Sequence, residues 1–79
     1  MQFFMWYDDT PHKTAAEKIQ AAVAAYVVRF TMNPELVLVN IVDFVAVAGL
    51  QVDHDRKVPP NTFWVRIEKN AGLEEVANG

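Results

Sequence analysis

Acidic and amide side chains follow two apolar segments of the chain, at points where predicted strands end. Asp8 and Asp9 follow the first segment, and Asn40 and Asp43 fall near the end of the second. If the two strands are parallel neighbours, their carboxyl ends meet at one edge of the sheet, with His12 close by. Oxygen and imidazole ligands at such an edge could hold Mg²⁺ or Mn²⁺. The sequence therefore raises the hypothesis of a metal site formed by Asp8, Asp9 and Asp43.

The same acidic residues also suit a structural role, which the sequence favours. An aspartate at the start of a helix accepts hydrogen bonds from free main-chain N–H groups and interacts favourably with the helix dipole. Asp8 and Asp9 precede a predicted helix, and Asp43 can cap a following turn. We therefore expect no cofactor. A metal-dependent hydrolase or nuclease using Asp8, Asp9 and Asp43 is the alternative hypothesis.

Other residue types form no recognisable catalytic pattern. Asp53 and Asp55 point to one side of a predicted strand and His54 points to the other, so the three side chains cannot converge. The chain has no serine for a Ser/His/Asp triad, and no cysteine for a disulfide or a thiolate metal site. Its three glycines are too widely spaced for a phosphate-binding loop. The sequence favours a protein without enzymatic activity.

Aromatic residues near both ends of the chain could form a stacking platform: Trp6, Tyr7, Phe63 and Trp64. Platforms that bind single-stranded nucleic acids lie in basic grooves. Here the net charge is −3 and the seven basic residues are scattered, so neither nucleic acid nor an anionic membrane surface is an expected partner. We expect most of these aromatic residues in the core. A small-ligand or nucleic-acid binder through Trp6 and Trp64 is a second alternative.

The segment before residue 20 is dense in helix-start signals. Asp9 or Thr10 can cap a helix with Pro11 at its first position, while Thr14 and Glu17 have the spacing of a capping box. The helix is predicted to run to about residue 30 or 31. It has an apolar stripe for the core and an opposite side of small residues where polar ones are expected. The stripe is Ile19, Ala22, Val23, Tyr26 and Phe30, and the opposite side is Ala21, Ala24, Ala25 and Val28.

The remaining elements are predicted from alternation and turn residues. A first strand at 2–7 and a second at 35–42 are apolar on both sides, which is typical of strands covered on both faces. Strand, helix and strand together predict a βαβ unit. Three features follow in the second half of the chain: a short helical turn at 43–49, for which a continuation of the strand through a bend is the alternative, a hairpin of 50–55 with 62–68, and a tail at 69–79.

These elements predict one α/β domain at residues 1–68 and a flexible or loosely docked tail at 69–79. Its fold is a two-layer α+β arrangement, in which one long helix packs on a mixed sheet of three or four strands. A chain of 79 residues with 52% hydrophobic residues and no cysteine is small and apolar. The excess of apolar surface predicts self-association, most simply as a homodimer, through the small-residue side of the helix or the aromatic face of the sheet. Without a signal peptide or a long apolar segment, we expect a soluble cytoplasmic protein.

Several short motifs resemble those of short bacterial α/β proteins of no known activity. The motifs are W-Y-D-D, K-T-x-x-E-K-I at 13–19, Y-x-x-R-F at 26–30, P-E-L-V-L-V-N at 34–40 and V-P-P-N-T-F-W-V at 58–65. The similarity extends over residues 5–67. It implies a compact domain that stands alone, and it implies no catalytic residues.

Overall fold

Four strands form one mixed sheet, and one α-helix packs on it. The computed structural model describes residues 2–68, so the predicted tail at 69–79 lies outside the described residues. The elements in chain order are β1 (Phe3–Tyr7), α1 (Ala15–Phe30), β2 (Leu36–Val39), a 3₁₀ turn (Ile41–Asp43), β3 (Gln51–His54) and β4 (Thr62–Arg66). The strand order is β1-β4-β2-β3. The predicted fold class, a long helix on a mixed four-stranded sheet, is confirmed.

The strand order differs from the prediction in the position of β4. β4 lies between β1 and β2 and is antiparallel to both, while β3 pairs in parallel with β2. β1 and β2 are thus parallel to each other but not neighbours, which makes the βαβ unit a split one. The predicted hairpin of 50–55 with 62–68 is wrong. β4 suits an interior position because Phe63 and Val65 are fully buried, whereas the polar side chains of β3 suit an edge.

The capping box of Thr14 and Glu17 determines where α1 begins. The Glu17 N–H donates to the Thr14 Oγ at 3.1 Å, and the Thr14 N–H donates to the Glu17 carboxylate at 2.8 Å. Such a cap contributes about 1 kcal/mol to helix stability. The alternative start, with Asp9 or Thr10 as the cap and Pro11 in the helix, is wrong. Asp9 and Thr10 precede a turn at residues 11–12, and Pro11 lies in that turn.

The core lies between α1 and one face of the sheet. The predicted stripe of α1 is confirmed: Ile19, Ala22 and Tyr26 are fully buried, and Val23 and Phe30 pack against them. Burying a large apolar side chain contributes about 1.5 to 3 kcal/mol, so this face supplies most of the stability. The strand residues that α1 covers alternate along each strand: Phe4, Trp6, Val37, Val39, Val52, Phe63 and Val65.

The segment after β2 contains a 3₁₀ turn at Ile41–Asp43, earlier in the chain than the predicted helical turn at 43–49. Asn40 caps the turn, and its Oδ1 accepts a hydrogen bond from the Val42 N–H at 3.0 Å. The prediction that Asp43 caps a helix over 43–49 is wrong, because the turn already ends at Asp43. The chain then reverses at Gly49, whose φ of 78° suits a residue without a Cβ.

Candidate functional site: the open face of the sheet

The predicted meeting of polar residues at one edge of the sheet does occur, around a residue that the sequence analysis missed. The Asn61 C=O accepts from the Asp8 N–H at 2.9 Å, and the Asn61 N–H donates to the Asp43 carboxylate at 2.8 Å. The Lys18 Nζ, on the largely buried side of α1, donates to the Asn61 Oδ1 at 3.0 Å. Asn61 therefore connects β1, α1 and the segment after β2. We call Asp8, Asn40, Asp43 and Asn61 the polar edge.

Asn61 can take this position because of its backbone conformation. Its φ is 63°, in the left-handed region, which asparagine tolerates better than most residues. It follows Pro59 and Pro60, and the loop is held from the other side by a hydrogen bond from Asn40 Nδ2 to the Val58 C=O at 3.0 Å. An asparagine after two prolines was a readable turn signal in the sequence.

Both carboxylate oxygens of Asp8 are engaged by neighbouring residues. One accepts from the Lys13 Nζ at 2.7 Å, and the other accepts from the N–H and the hydroxyl of Thr10. These bonds, led by the one to Lys13, hold the pKa of Asp8 well below its ordinary value of 3.8. Asp8 therefore closes a loop before α1 and does not cap the helix, whose cap is Thr14.

The other proposed metal ligands do not join Asp8 in one group. Asp9 is exposed and accepts from the Tyr7 hydroxyl at 3.3 Å, and its negative charge raises the pKa of that phenol. His12 is exposed in a turn with a φ of 65°. Within residues 2–68, no group of three or more His, Cys, Asp or Glu side chains is placed to hold a metal ion. The contacts of Asp8 and Asp43 favour the structural role.

Asp53 and His54 lie on the edge strand β3. The Asp53 carboxylate accepts from the Gln51 amide at 2.9 Å, while the ring of His54 packs edge-on against Phe44 at 5.4 Å. Asp55 lies beyond the strand and accepts from the Lys57 N–H at 2.8 Å. The three side chains serve different local contacts and form no common site.

A cleft of about 310 Å³ lies between α1 and the turn at 47–50. Its volume is at the small end of the range for ligand sites. No carboxylate or imidazole lines it, so it offers amide and apolar contacts only. The lining residues are Gln20, Val23, Asn33, Pro34, Val47, Ala48, Gly49 and Leu50.

The face of the sheet that points away from α1 is apolar near β1. Strand alternation and register place Met5 beside Trp64, and Trp64 beside Leu38. Met5 is 61% exposed and Tyr7 is 64% exposed. The prediction that β1 is covered on both faces is wrong, because Met5 and Tyr7 are exposed. We call Phe3, Met5, Tyr7, Leu38 and Trp64 the open face.

The two tryptophans of the proposed aromatic surface lie on opposite faces of the sheet. Trp6 is on the covered side, where its ring stacks on Phe4 at 6.1 Å. Trp64 is on the open face, with its ring 5.5 Å from that of Phe3. A joint platform of Trp6 and Trp64 is therefore not formed. The indole N–H of Trp6 is buried and has no hydrogen-bond partner in the described part of the chain.

Two further groups of exposed apolar residues lie elsewhere. On the small-residue side of α1, Val28 is 83% exposed and Ala24 is exposed, while Ala21 and Ala25 are half-buried. Around the 3₁₀ turn, three large side chains are exposed to between 48% and 71%: Ile41, Val42 and Phe44. The sequence analysis missed this second group because it placed residues 41 and 42 inside a covered strand.

Comparisons with protein-family models, with curated proteins and with solved structures find no match. Within residues 2–68, no helix is long and apolar enough to cross a membrane.

Proposed function

We propose that this protein is a non-enzymatic interaction module that associates with itself as a homodimer through the β1 side of the open face. One observation carries the proposal. Two large side chains of the sheet that are exposed, Met5 and Tyr7, are apolar or aromatic and lie together on one strand. They continue an apolar surface that includes Trp64.

The contrast within the sheet supports a partner at β1. A sheet with one face in water usually alternates apolar residues on the covered side with polar residues on the wet side. β3 follows this rule, since Val52 is buried and its neighbours Gln51 and Asp53 are exposed and polar. β1 breaks the rule with Met5 and Tyr7 on the wet side. Contact with a second copy along β1 would remove part of this apolar surface from water.

The small-residue side of α1 is the weaker candidate for the contact. Alanine is the best helix former, so exposed alanines at positions such as 24 need no partner to explain them. Only Val28 offers a larger apolar side chain there, and Arg29 lies next to it. The open face combines more apolar surface with aromatic rings, which are common at protein interfaces.

Light scattering on a size-exclusion column, with two matched charge substitutions, tests the proposal. Met5→Glu and Ala24→Glu each place one carboxylate at an exposed position, the first on the open face and the second on the back of α1. We expect the wild-type protein and Ala24→Glu to elute as dimers and Met5→Glu to elute as an 8.9 kDa monomer. A dimer that survives Met5→Glu but not Ala24→Glu would move the interface to α1. A wild-type monomer at high micromolar concentration would overturn the proposal.

A further inference from the structure

The two edge strands of the sheet, as far as residues 2–68 describe it, differ in their side chains. The edge strand β3 presents three exposed polar residues, Gln51, Asp53 and His54. Polar and charged side chains on an edge strand discourage pairing with other chains. β1 is the other edge, and its five residues, FFMWY, contain no charge and no proline. Its register with β4 is continuous from Phe3 to Tyr7, without a bulge. β1 therefore lacks three devices that commonly protect an edge strand, namely a charged residue, a proline and a bulge.

The hydrogen bonds at the two ends of β1 show which main-chain groups point outward. The Asp8 N–H donates to the Asn61 C=O, and the Ile67 N–H donates to the Gln2 C=O, both at 2.9 Å. Asp8 with Asn61 and Gln2 with Ile67 are therefore hydrogen-bonded pairs of the antiparallel ladder. Along such a ladder, hydrogen-bonded pairs alternate with pairs that are not hydrogen-bonded. The even-numbered residues of β1 therefore bond to β4. The N–H and C=O groups that face away from the sheet belong to Phe3, Met5 and Tyr7.

From this edge we infer that two copies of the chain pair through β1, antiparallel and about a two-fold axis at Met5, so that two four-stranded sheets become one continuous sheet. The inference rests on the proposed self-association and specifies its geometry. In this register Met5 faces Met5 of the second copy, and Phe3 faces Tyr7 of the second copy. Each of these pairs exchanges two hydrogen bonds, so every outward N–H and C=O group of Phe3, Met5 and Tyr7 gains a partner.

The side chains are compatible with the same register. The aromatic rings of Phe3 and Tyr7 become direct cross-strand neighbours on the open face, an arrangement that stabilises antiparallel pairs. At the ends of the paired strands, Gln2 faces Asp8, so no like charges are opposed, and Asp8 is already paired with Lys13. The contact is isologous and closes on itself, which gives a dimer and no fibre.

A proline at position 5 tests the pairing without removing a bond inside the chain. The Met5 N–H points away from β4, so Met5→Pro leaves the β1–β4 ladder intact while it removes one interchain donor from each copy. We expect the dimer dissociation constant to rise about 30-fold or more, as two lost hydrogen bonds predict. Circular dichroism and tryptophan fluorescence of the dilute variant check that the fold is kept. An unchanged dissociation constant in a folded Met5→Pro protein would overturn the edge pairing.

Single cysteines test the register independently, because the chain has none of its own. Met5→Cys places two thiols at directly opposed positions about 5.5 Å apart between Cα atoms, within the range of a disulfide. Tyr7→Cys is the matched control, since residue 7 is equally exposed but faces position 3 of the second copy. In the inferred register the two copies of residue 7 are about 13 Å apart along the strands. With diamide as the oxidant, we expect rapid dimer formation by Met5→Cys and little by Tyr7→Cys.

The outcomes separate the inference from the proposed function. A wild-type monomer overturns both. A wild-type dimer could instead crosslink through residue 7 as fast as through residue 5, or tolerate Met5→Pro. Either result is expected for two sheets stacked face to face, and it would overturn the edge register while self-association stands. A dimer that is weakened by Met5→Pro and crosslinks through residue 5 alone supports the inference.

Discussion

Replacing Asn61 by alanine is expected to destabilise the protein by about 3 kcal/mol or more. Two effects contribute. A side chain with a Cβ and no local hydrogen bond costs about 1 to 2 kcal/mol in the left-handed conformation that Asn61 adopts at φ 63°. The loss of the acceptor for Lys18 costs about 1.5 to 3 kcal/mol, because the donor is charged and largely buried. The main-chain bonds of residue 61 to Asp8 and Asp43 remain possible.

Two further variants separate these effects. Asn61→Gly removes the acceptor but adopts the left-handed conformation freely, at a cost in unfolded-state entropy of about 0.5 to 1 kcal/mol. We expect it to be more stable than Asn61→Ala by about 1 kcal/mol. Lys18→Met keeps the apolar stem and removes the charge, so its effect and that of Asn61→Gly should not add. The expected coupling in this double-mutant cycle is about 1.5 kcal/mol.

Urea unfolding followed by the fluorescence of Trp6 and Trp64 measures these differences. All variants are compared at one chain concentration, because association makes the apparent stability depend on concentration. If Asn61→Ala unfolds within about 0.5 kcal/mol of the wild-type protein, the polar edge contributes little to the fold and its structural role is refuted.

Two other predictions concern single contacts. Tyr26→Phe keeps the packing of a fully buried ring but removes the hydroxyl that accepts from the Glu68 N–H at 2.9 Å. We expect the free energy of unfolding in urea to fall by about 1 kcal/mol. An unchanged free energy would mean that water replaces the lost hydrogen bond. Because the folded-state pKa of Asp8 is depressed, the stabilisation from its bonds to Lys13 and Thr10 is complete at neutral pH and declines progressively as the pH falls below about 4. Asp8→Asn should therefore be less stable at pH 7 and show a flatter pH dependence below pH 4, and identical acid unfolding of both proteins would contradict this.

The local parts of the fold were predictable because their signals are local. The capping box at Thr14, the stripe through Ile19 and Tyr26 and the helix end before Pro34 all depend on residues a few positions apart. Their physical causes are capping hydrogen bonds and the burial of one helix face. Both involve only α1 and the face of the sheet on which it packs. These are the predictions that the structure confirms.

The strand order was not predictable from the same signals. Alternation shows which residues share a face, but it does not show which strand takes an interior position. The prediction joined β1 to β2 in a βαβ unit and β3 to β4 in a hairpin. In the structure β4 lies between β1 and β2. Alternation also does not show whether a second layer exists, so the apolar side of β1 was taken as covered. Met5 and Tyr7 show that it is open within the described part of the chain.

The polar edge shows a third kind of limit. The prediction that Asp8 and Asp43 approach one edge of the sheet was correct in placement, since both bond to Asn61. Their chemistry depends on partners that spacing does not reveal. Lys13 engages the carboxylate of Asp8, and a main-chain N–H engages that of Asp43. Carboxylates with such partners stabilise loops, so proximity along an edge is a weak signal for a metal site.

Sedimentation equilibrium of the wild-type chain, from low to high micromolar concentration, tests self-association most directly. We predict a reversible monomer–dimer equilibrium with a limiting mass twice the 8.9 kDa of one chain, and a shift toward monomer for Met5→Glu at the same concentrations. A single species of 8.9 kDa over the whole range would contradict self-association, and the open face would then need a partner other than a second copy of this chain.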